Sequence, residues 1–243
     1  MGERGNRMLL EARDLHIAYG DIRAVNGVGF SVDKAELVSI IGANGAGKTS
    51  ILGSIMGIVP LRSGSIYFKG KDITSLAAYQ RARLGIRLVP ERAHVFPRLT
   101  VYENLMTGIY GLRKKISWDE RIDWLYELFP VLRQRVDQAA STLSGGEQQQ
   151  LAIARALISS PELLLVDEVS MGLMPKLVDK VFDLLQQLNQ EKGLTILLVE
   201  QNAMASLEIS RRAYVLETGT CVYQGDARDL IEDPHVREVY LGQ

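Results

Sequence analysis

Eight consecutive residues, Gly42-Ala43-Asn44-Gly45-Ala46-Gly47-Lys48-Thr49, fit the spacing Gly-x-x-x-x-Gly-Lys-Thr. Glycines at those positions let the backbone approach an anion, so that successive N–H groups and the start of a following helix face phosphate oxygens. The helix end adds about half a positive charge. In that arrangement Lys48 would reach the β- and γ-phosphates of a nucleotide, and the Thr49 hydroxyl would ligate Mg²⁺. The expected nucleotide-binding set here is Gly42, Asn44, Gly45, Ala46, Gly47, Lys48, Thr49 and Ser50. The spacing alone fits kinases, GTPases and ATPases equally.

Two further stretches narrow the choice. Leu163-Leu164-Leu165-Val166-Asp167-Glu168 is an apolar run that delivers two acids at its end, where an α/β sheet usually places its ligand. Asp167 is expected to hold Mg²⁺ through its water shell. Glu168 is expected to orient and deprotonate an attacking water, a contribution of about 10² to 10⁴ in rate. Earlier in the chain, Leu143-Ser144-Gly145-Gly146-Glu147-Gln148 precedes a helical pattern through Leu151 to Leu157. Ser144, Gly145 and Gly146 would cap that helix and offer a second positive helix end to a γ-phosphate, with Glu147 beside them.

The elements that must hold these residues can be read from hydrophobic pattern. Leu9 to Ile17, Val25 to Val32 and Ser65 to Phe68 partly alternate, as half-buried antiparallel strands do. Leu37 to Ile41, Ile86 to Val89, Leu163 to Val166 and Thr195 to Val199 are continuous apolar runs, suited to a parallel sheet buried on both faces. Leu177, Val178, Val181, Phe182, Leu184, Leu185 and Leu188 make one apolar helix face that should cover that sheet. Between about Arg92 and Thr142 the alternation of strand and helix stops, and helical patterns near Val101–Gly108 and Asp119–Leu132 suggest an inserted lobe. Ala213–Val215 and Val222–Gln224 flank Glu217-Thr218-Gly219-Thr220, a hairpin signal, before a final helix from about Ala227 to Leu241.

Bulk properties exclude several classes. The 243 residues carry a net charge of −1, which gives no general attraction to nucleic acid. A single cysteine, Cys221, rules out an internal disulfide, and no metal-ligand spacing is present. These features point to a reducing cytoplasm. The polar stretch Met1–Arg7 lacks the apolar segment of a secretion signal and reads as a frayed end, and no window reaches the roughly 18 apolar residues of a membrane span. Membrane association would have to come through partners.

With the Leu-Ser-Gly-Gly signature at Leu143–Gly146, nearly the whole chain resembles the ATP-binding cassette (ABC) family. The resemblance implies an α/β P-loop NTPase core with a parallel sheet, an N-terminal antiparallel β layer and an inserted helical subdomain. It implies one nucleotide-binding domain over 1–243, with core segments 8–91 and 143–243 and the helical subdomain at about 92–142. ATP and Mg²⁺ would be its cofactors. The signature of one subunit would complete the ATP site of a second, packed head to tail. Tyr19 stands where the family places an adenine-stacking ring. Ser170-Met171-Gly172-Leu173 resembles the loop linking two ATP sites, with Val169 and Gly172 departing from the usual residues.

Two further departures fall at functional positions. Glu91 replaces the family's nucleotide-sensing Gln, and Gln201 replaces a His that contacts the γ-phosphate. A carboxylate at Glu91 could bind Mg²⁺ or its waters, and Gln201 could donate a neutral hydrogen bond to phosphate. Together with Val89-Pro90-Glu91-Arg92, Val199-Glu200-Gln201-Asn202 and the ending Tyr240-Leu241-Gly242-Gln243, they resemble the second ATPase subunit of importers for branched-chain and other hydrophobic amino acids. Urea and short-amide importers share the pattern. The resemblance implies a second ATPase subunit, identical or different, integral membrane permease subunits, indirect dependence on a substrate-binding protein, and a peripheral place on the cytoplasmic face of the inner membrane. Phe96, Leu99 and Tyr102, and the loop Asp137–Thr142, are candidate permease contacts, although the three apolar side chains would equally serve as core. The alternatives are an exporter subunit, which the resemblance opposes because many exporters fuse this domain to membrane helices, and a soluble cassette ATPase without a transport role. Such proteins usually carry duplicated cassettes, coiled-coil insertions or basic patches, none of which is present.

Overall fold

The computed structural model describes residues 7–110 and 117–240. The polar start at residues 1–6 and the last three residues of the Tyr240–Gln243 ending therefore lie outside the described residues.

Strands form two sheets. In the first, β1 (Met8–Tyr19) lies between β2 (Ile22–Asp33) and β4 (Ser63–Phe68), antiparallel to both, and β5 (Lys71–Asp72) pairs with β4. In the second, β3 (Leu37–Gly42), β6 (Ile86–Val89), β7 (Leu163–Asp167), β8 (Thr195–Glu200), β9 (Arg212–Glu217) and β10 (Thr220–Asp226) take the order β10-β9-β3-β8-β7-β6. All its neighbours are parallel except β10, which returns antiparallel on β9 through a turn at Thr218 and Gly219. Both turn residues have positive φ, 47° and 80°, as a tight hairpin requires.

The unbroken apolar runs follow from burial on two sides. Leu163, Leu165, Leu197 and Val199 face a core shared with β1, β2 and α1 (Lys48–Met56). Leu164, Val166, Ile196 and Leu198 face a second core shared with α6 (Gly145–Leu157) and α7 (Pro175–Lys192). No position along those strands points to water, so none needs a polar side chain. On α7 the expected face is present, with Val181, Phe182, Leu185 and Leu188 buried and Leu177, Val178 and Leu184 partly so.

Residues 92–142 contain α3 (Val101–Thr107), α4 (Trp118–Leu128), α5 (Pro130–Gln134) and a short 3-10 turn at Ala140–Thr142. The helix expected over Asp119–Leu132 breaks at Phe129 (φ −129°, ψ 72°), because Pro130 disfavours helical geometry in the residue before it. The single helix expected from Ala227 to Leu241 is likewise two, α9 (Ala227–Glu232) and α10 (Pro234–Tyr240). Asp233 precedes Pro234 and is extended, and its side chain accepts hydrogen bonds from the backbone of His235 and Val236. Two more short helices, α2 (Ala78–Arg83) and α8 (Ala203–Ile209), complete the elements of the described residues.

The carboxyl ends of β3, β8, β7 and β6 are neighbours in the sheet order. Gly42, Glu200, Asp167 and Val89 therefore finish on one edge, and the segments that follow them carry the chemistry.

Candidate functional site

The loop after β3 folds back so that Gly47 immediately precedes α1 with φ 99°. A Cβ there would sit 2.4 Å from the carbonyl oxygen of Ala24, so a side chain at this position is excluded twice, by conformation and by space. Lys48 is 3% exposed. Its Nζ donates to the carbonyls of Gly42 (2.8 Å) and Ala43 (3.0 Å) and lies 3.0 Å from Glu168 Oε1. An ammonium has three protons to give. All three thus have acceptors, and a phosphate arriving at Lys48 must replace one of them.

Thr49 donates its hydroxyl to Asp167 Oδ1 at 3.0 Å, which brings together two of the three expected Mg²⁺ ligands, Glu91 being the third. Burial, reinforced by the charges of Glu168 and Glu91 and opposed by the Thr49 bond and Lys48, pushes the Asp167 carboxyl up to about 6. A hydroxyl and one carboxylate form the hard-oxygen donor pair that Mg²⁺ accepts when phosphate oxygens and water supply its remaining ligands. No group of three or more acidic, His or Cys side chains among the described residues could hold a metal.

Glu168 follows in the left-handed region at φ 42°, with its N–H bonded to Val199 O at 2.9 Å. Glu91 approaches closely enough for its charge to act on Asp167, while its own carboxylate accepts from Arg92 Nε at 3.0 Å. The next three residues, Arg92, Ala93 and His94, all have positive φ, so the segment after β6 is tightly wound.

Tyr19 is 52% exposed and its hydroxyl shares a hydrogen bond with Ser50 Oγ at 3.2 Å, which sets an open ring beside the first turn of α1. Gln201 is exposed and lines a cleft of about 560 Å³ with Gly42, Ala43, Asn44, Gly45 and Ala46. These residues belong to one region of the surface.

Ser144 to Glu147 make a separate set of contacts. Ser144 caps α6: its hydroxyl accepts from Glu147 N at 3.4 Å and donates to Glu147 Oε2, which also accepts from Ser144 N at 2.8 Å. Arg135 pairs with the same carboxylate at 2.9 Å. Burial opposes ionisation of Glu147, but the Ser144 bonds and Arg135 outweigh it and hold the group below its ordinary value. No hydrogen bond or ion pair among the described residues links this helix start to the phosphate loop.

The supporting roles of three residues, Arg81, Glu200 and Ser170, have no reading in the sequence. Arg81, 3% exposed, donates to the carbonyls of Ser54 (2.6 Å), Ile55 (2.9 Å), Leu76 (2.8 Å) and Thr74 (2.7 Å), and so holds the far end of the helix that begins at Lys48. Glu200 and Ser170 bond to each other behind Glu168. An acid closing the apolar run of β8, as Asp167 closes that of β7, was the available signal for Glu200. Of the candidate permease contacts, Phe96 and Tyr102 are exposed and Leu99 is partly buried. Arg155 lies over the Phe96 ring at 5.3 Å.

A family model described as ABC transporter matches residues 25–171. Over 224 residues the chain is 46% identical to the high-affinity branched-chain amino acid transport ATP-binding protein BraG of Pseudomonas aeruginosa, covering 92% of this chain and 95% of that protein. It is 38% identical over 234 residues to the probable branched-chain amino acid transport ATP-binding protein LivF of Archaeoglobus fulgidus (96% and 99% covered). It is 36% identical over 237 residues to the lipopolysaccharide export system ATP-binding protein LptB of Escherichia coli (96% and 97%). Among solved structures, the ADP conformation of the ABC transporter cassette MJ1267 superposes with a TM-score of 0.84 at 28% identity, covering 97% of this chain and 99% of that one. The dimeric post-hydrolysis state of the cassette MJ0796, bound to ADP and Pi, gives 0.81 at 26% identity (90% and 99%).

Proposed function

From the premise that this chain belongs to the ABC transporter family and is an ATPase coupled to transport, we propose that it powers import of branched-chain or other hydrophobic amino acids. The observation that carries the reading is the 46% identity to BraG over nearly the full length of both proteins, against 36% to LptB. Glu91 and Gln201 add to it, since both were read from the sequence as marks of the same group of importers.

In this reading the loop Gly42–Ser50 binds the phosphates, Lys48 leaves Glu168 for the β- and γ-phosphates, and Tyr19 stacks on adenine. Mg²⁺ on Thr49 and Asp167 would neutralise phosphate charge. Glu168, released from Lys48, orients and deprotonates the attacking water, and Gln201 donates to the γ-phosphate from the other wall. Glu91 would act on the metal or its waters. A head-to-tail dimer would let each signature helix start meet the partner's nucleotide, and the cassette MJ0796 is dimeric. A Cβ at Gly145 would meet nothing within 4 Å apart from its own neighbours and helix turn, which leaves room for that approach. Among the described residues no helix is long and apolar enough to cross a membrane. Exposed Phe96 and Tyr102 are proposed to contact permease subunits, with the chain peripheral at the cytoplasmic face of the inner membrane. A substrate-binding protein would be engaged only through the permease, and nucleic acid not at all.

The similarity to LptB supports one competing reading, a lipid exporter. Tagged Glu168→Gln protein, purified from gently solubilised native membranes with ATP and Mg²⁺, separates the two by mass spectrometry. Permease subunits and a second cassette ATPase encoded beside an amino-acid-binding protein support import. Lipid-export components, or soluble partners alone, reject it.

A further inference from the structure

We propose that Glu200 is a positioning residue for hydrolysis: it clamps the loop after Glu168 to the end of β8, so that the base and Gln201 are held in fixed relation. The proposal rests on the hydrolytic reading of Glu168 given above.

Glu200 is the last residue of β8, directly before Gln201, and is 1% exposed. A carboxylate buried that deeply is strongly unfavourable unless its oxygens are bonded. Both oxygens are committed to one residue: Ser170 N donates to Oε1 at 2.9 Å, and Ser170 Oγ donates to Oε2 at 2.7 Å. Two residues earlier in the same loop, Glu168 N donates to Val199 O at 2.9 Å. Residues 168–170 are therefore stitched to 199–200 by three hydrogen bonds, with Val169 buried between them. Met171 N closes the turn onto Glu168 O at 3.2 Å.

The stitching has a purpose that packing alone does not supply. Glu168 is a non-glycine residue at φ 42°, a conformation that persists only where surrounding contacts over-determine it. The Ser170 clamp and the Val199 bond are among those contacts, with the Met171 turn bond and the Lys48 ion pair. Loss of the clamp frees the loop to relax toward ordinary φ, which moves the base away from the water. A displacement of about 1 Å at a reacting group can cost about 100-fold in rate. Ser170 also opens the loop that the family resemblance assigns to the link between two ATP sites, so the clamp would tie one site's base to that link.

The test is steady-state ATPase kinetics with Mg²⁺, together with thermal melting, on the full-length chain and four variants. Glu200→Ala is expected to lose about 100-fold in kcat, with KM for ATP within about twofold of wild type. Ser170→Ala keeps the backbone bond and is expected to lose about tenfold. Glu200→Gln can still accept from Ser170 N and donate to Ser170 Oγ, and should stay within about threefold of wild type. The double variant Ser170→Ala/Glu200→Ala should be no slower than Glu200→Ala alone within about twofold, because the two act through one contact. Glu200→Ala at wild-type kcat, or losses that multiply in the double variant, would overturn the proposal. Should Glu200→Ala fail to fold, Ser170→Ala decides: reduced kcat at unchanged KM and melting temperature supports the clamp, and unchanged kcat rejects it. Failure of the underlying hydrolytic reading looks different, since Glu168→Gln would then turn over like wild type.

Discussion

Replacing Glu168 by Gln should do two things at once, and the structure fixes both directions. The change removes the base, which lowers kcat by about 10² to 10⁴. It also removes the charge that Lys48 faces at 3.0 Å, in a pair whose side chains are 3% and 9% exposed. At that separation and an effective dielectric constant near 20, a unit-charge attraction is about 5.5 kcal/mol, an upper bound because both groups are desolvated. The net worth of a charge-assisted hydrogen bond is nearer 1.5 to 3 kcal/mol. Glutamine retains a neutral acceptor, so about half of the upper value, some 1.4 kcal/mol or tenfold in affinity, should be recovered when phosphate takes over Lys48. The assay is calorimetric titration of each protein with ATP and with ADP in the presence of Mg²⁺. If release of Lys48 is the cause, both nucleotides bind Glu168→Gln about tenfold more tightly. If repulsion between Glu168 and the γ-phosphate is the cause, only ATP gains. Equal or weaker binding of both nucleotides by the variant would refute the account of Lys48 as a resting ion pair.

Asp167 makes stability depend on pH. Its carboxyl lies near 6 when folded against 3.8 when unfolded, so the group favours folding fully below about pH 4 and loses that contribution as pH rises through 6. Asp167→Asn should therefore melt higher than wild type above pH 6 without metal, with the gap closing toward pH 4; a gap independent of pH would contradict this. Arg81→Met leaves four backbone carbonyls without their donor and should cost about 3 kcal/mol, read as a fall of about 6 to 12 °C in melting temperature. A shift under about 2 °C would mean that water replaces the guanidinium. Gly47→Ala forces the loop off Ala24 and should weaken ATP binding more than about tenfold, measured by the same titrations. Gln201→His should keep or raise hydrolysis, and complete loss of turnover would argue against its place beside the γ-phosphate.

Strands buried on both faces announced themselves through runs such as Leu163–Val166, because a strand without a wet face carries no polar interruption. The glycine-rich turn from β3 into α1 and the acidic pair closing β7 were legible for a related reason, since local spacing alone dictates their geometry. Phe129-Pro130 and Asp233-Pro234 were misjudged as continuous helix where apolar periodicity masked the proline restriction. Contacts between distant residues left almost no local trace. Lys48 and Glu168 are 120 positions apart in sequence and Ser170 and Glu200 are 30 apart. Nothing in either neighbourhood indicates that these side chains meet, and sheet order decides it. Arg81 lies in an unremarkable basic stretch, Arg81-Ala82-Arg83, and only the fold reveals that one of the two arginines is buried on α1.

The central claim is that hydrolysis at this site drives import of hydrophobic amino acids. Its most direct measurement is ATP-driven accumulation of labelled leucine in proteoliposomes that contain the complete transporter with its binding protein, assembled with wild-type or Glu168→Gln chain. Accumulation that follows ATP hydrolysis with the wild type and stops with the variant, although the variant still binds ATP, is the predicted result. Brisk ATP hydrolysis without leucine movement, or equal uptake by both assemblies, would contradict the account.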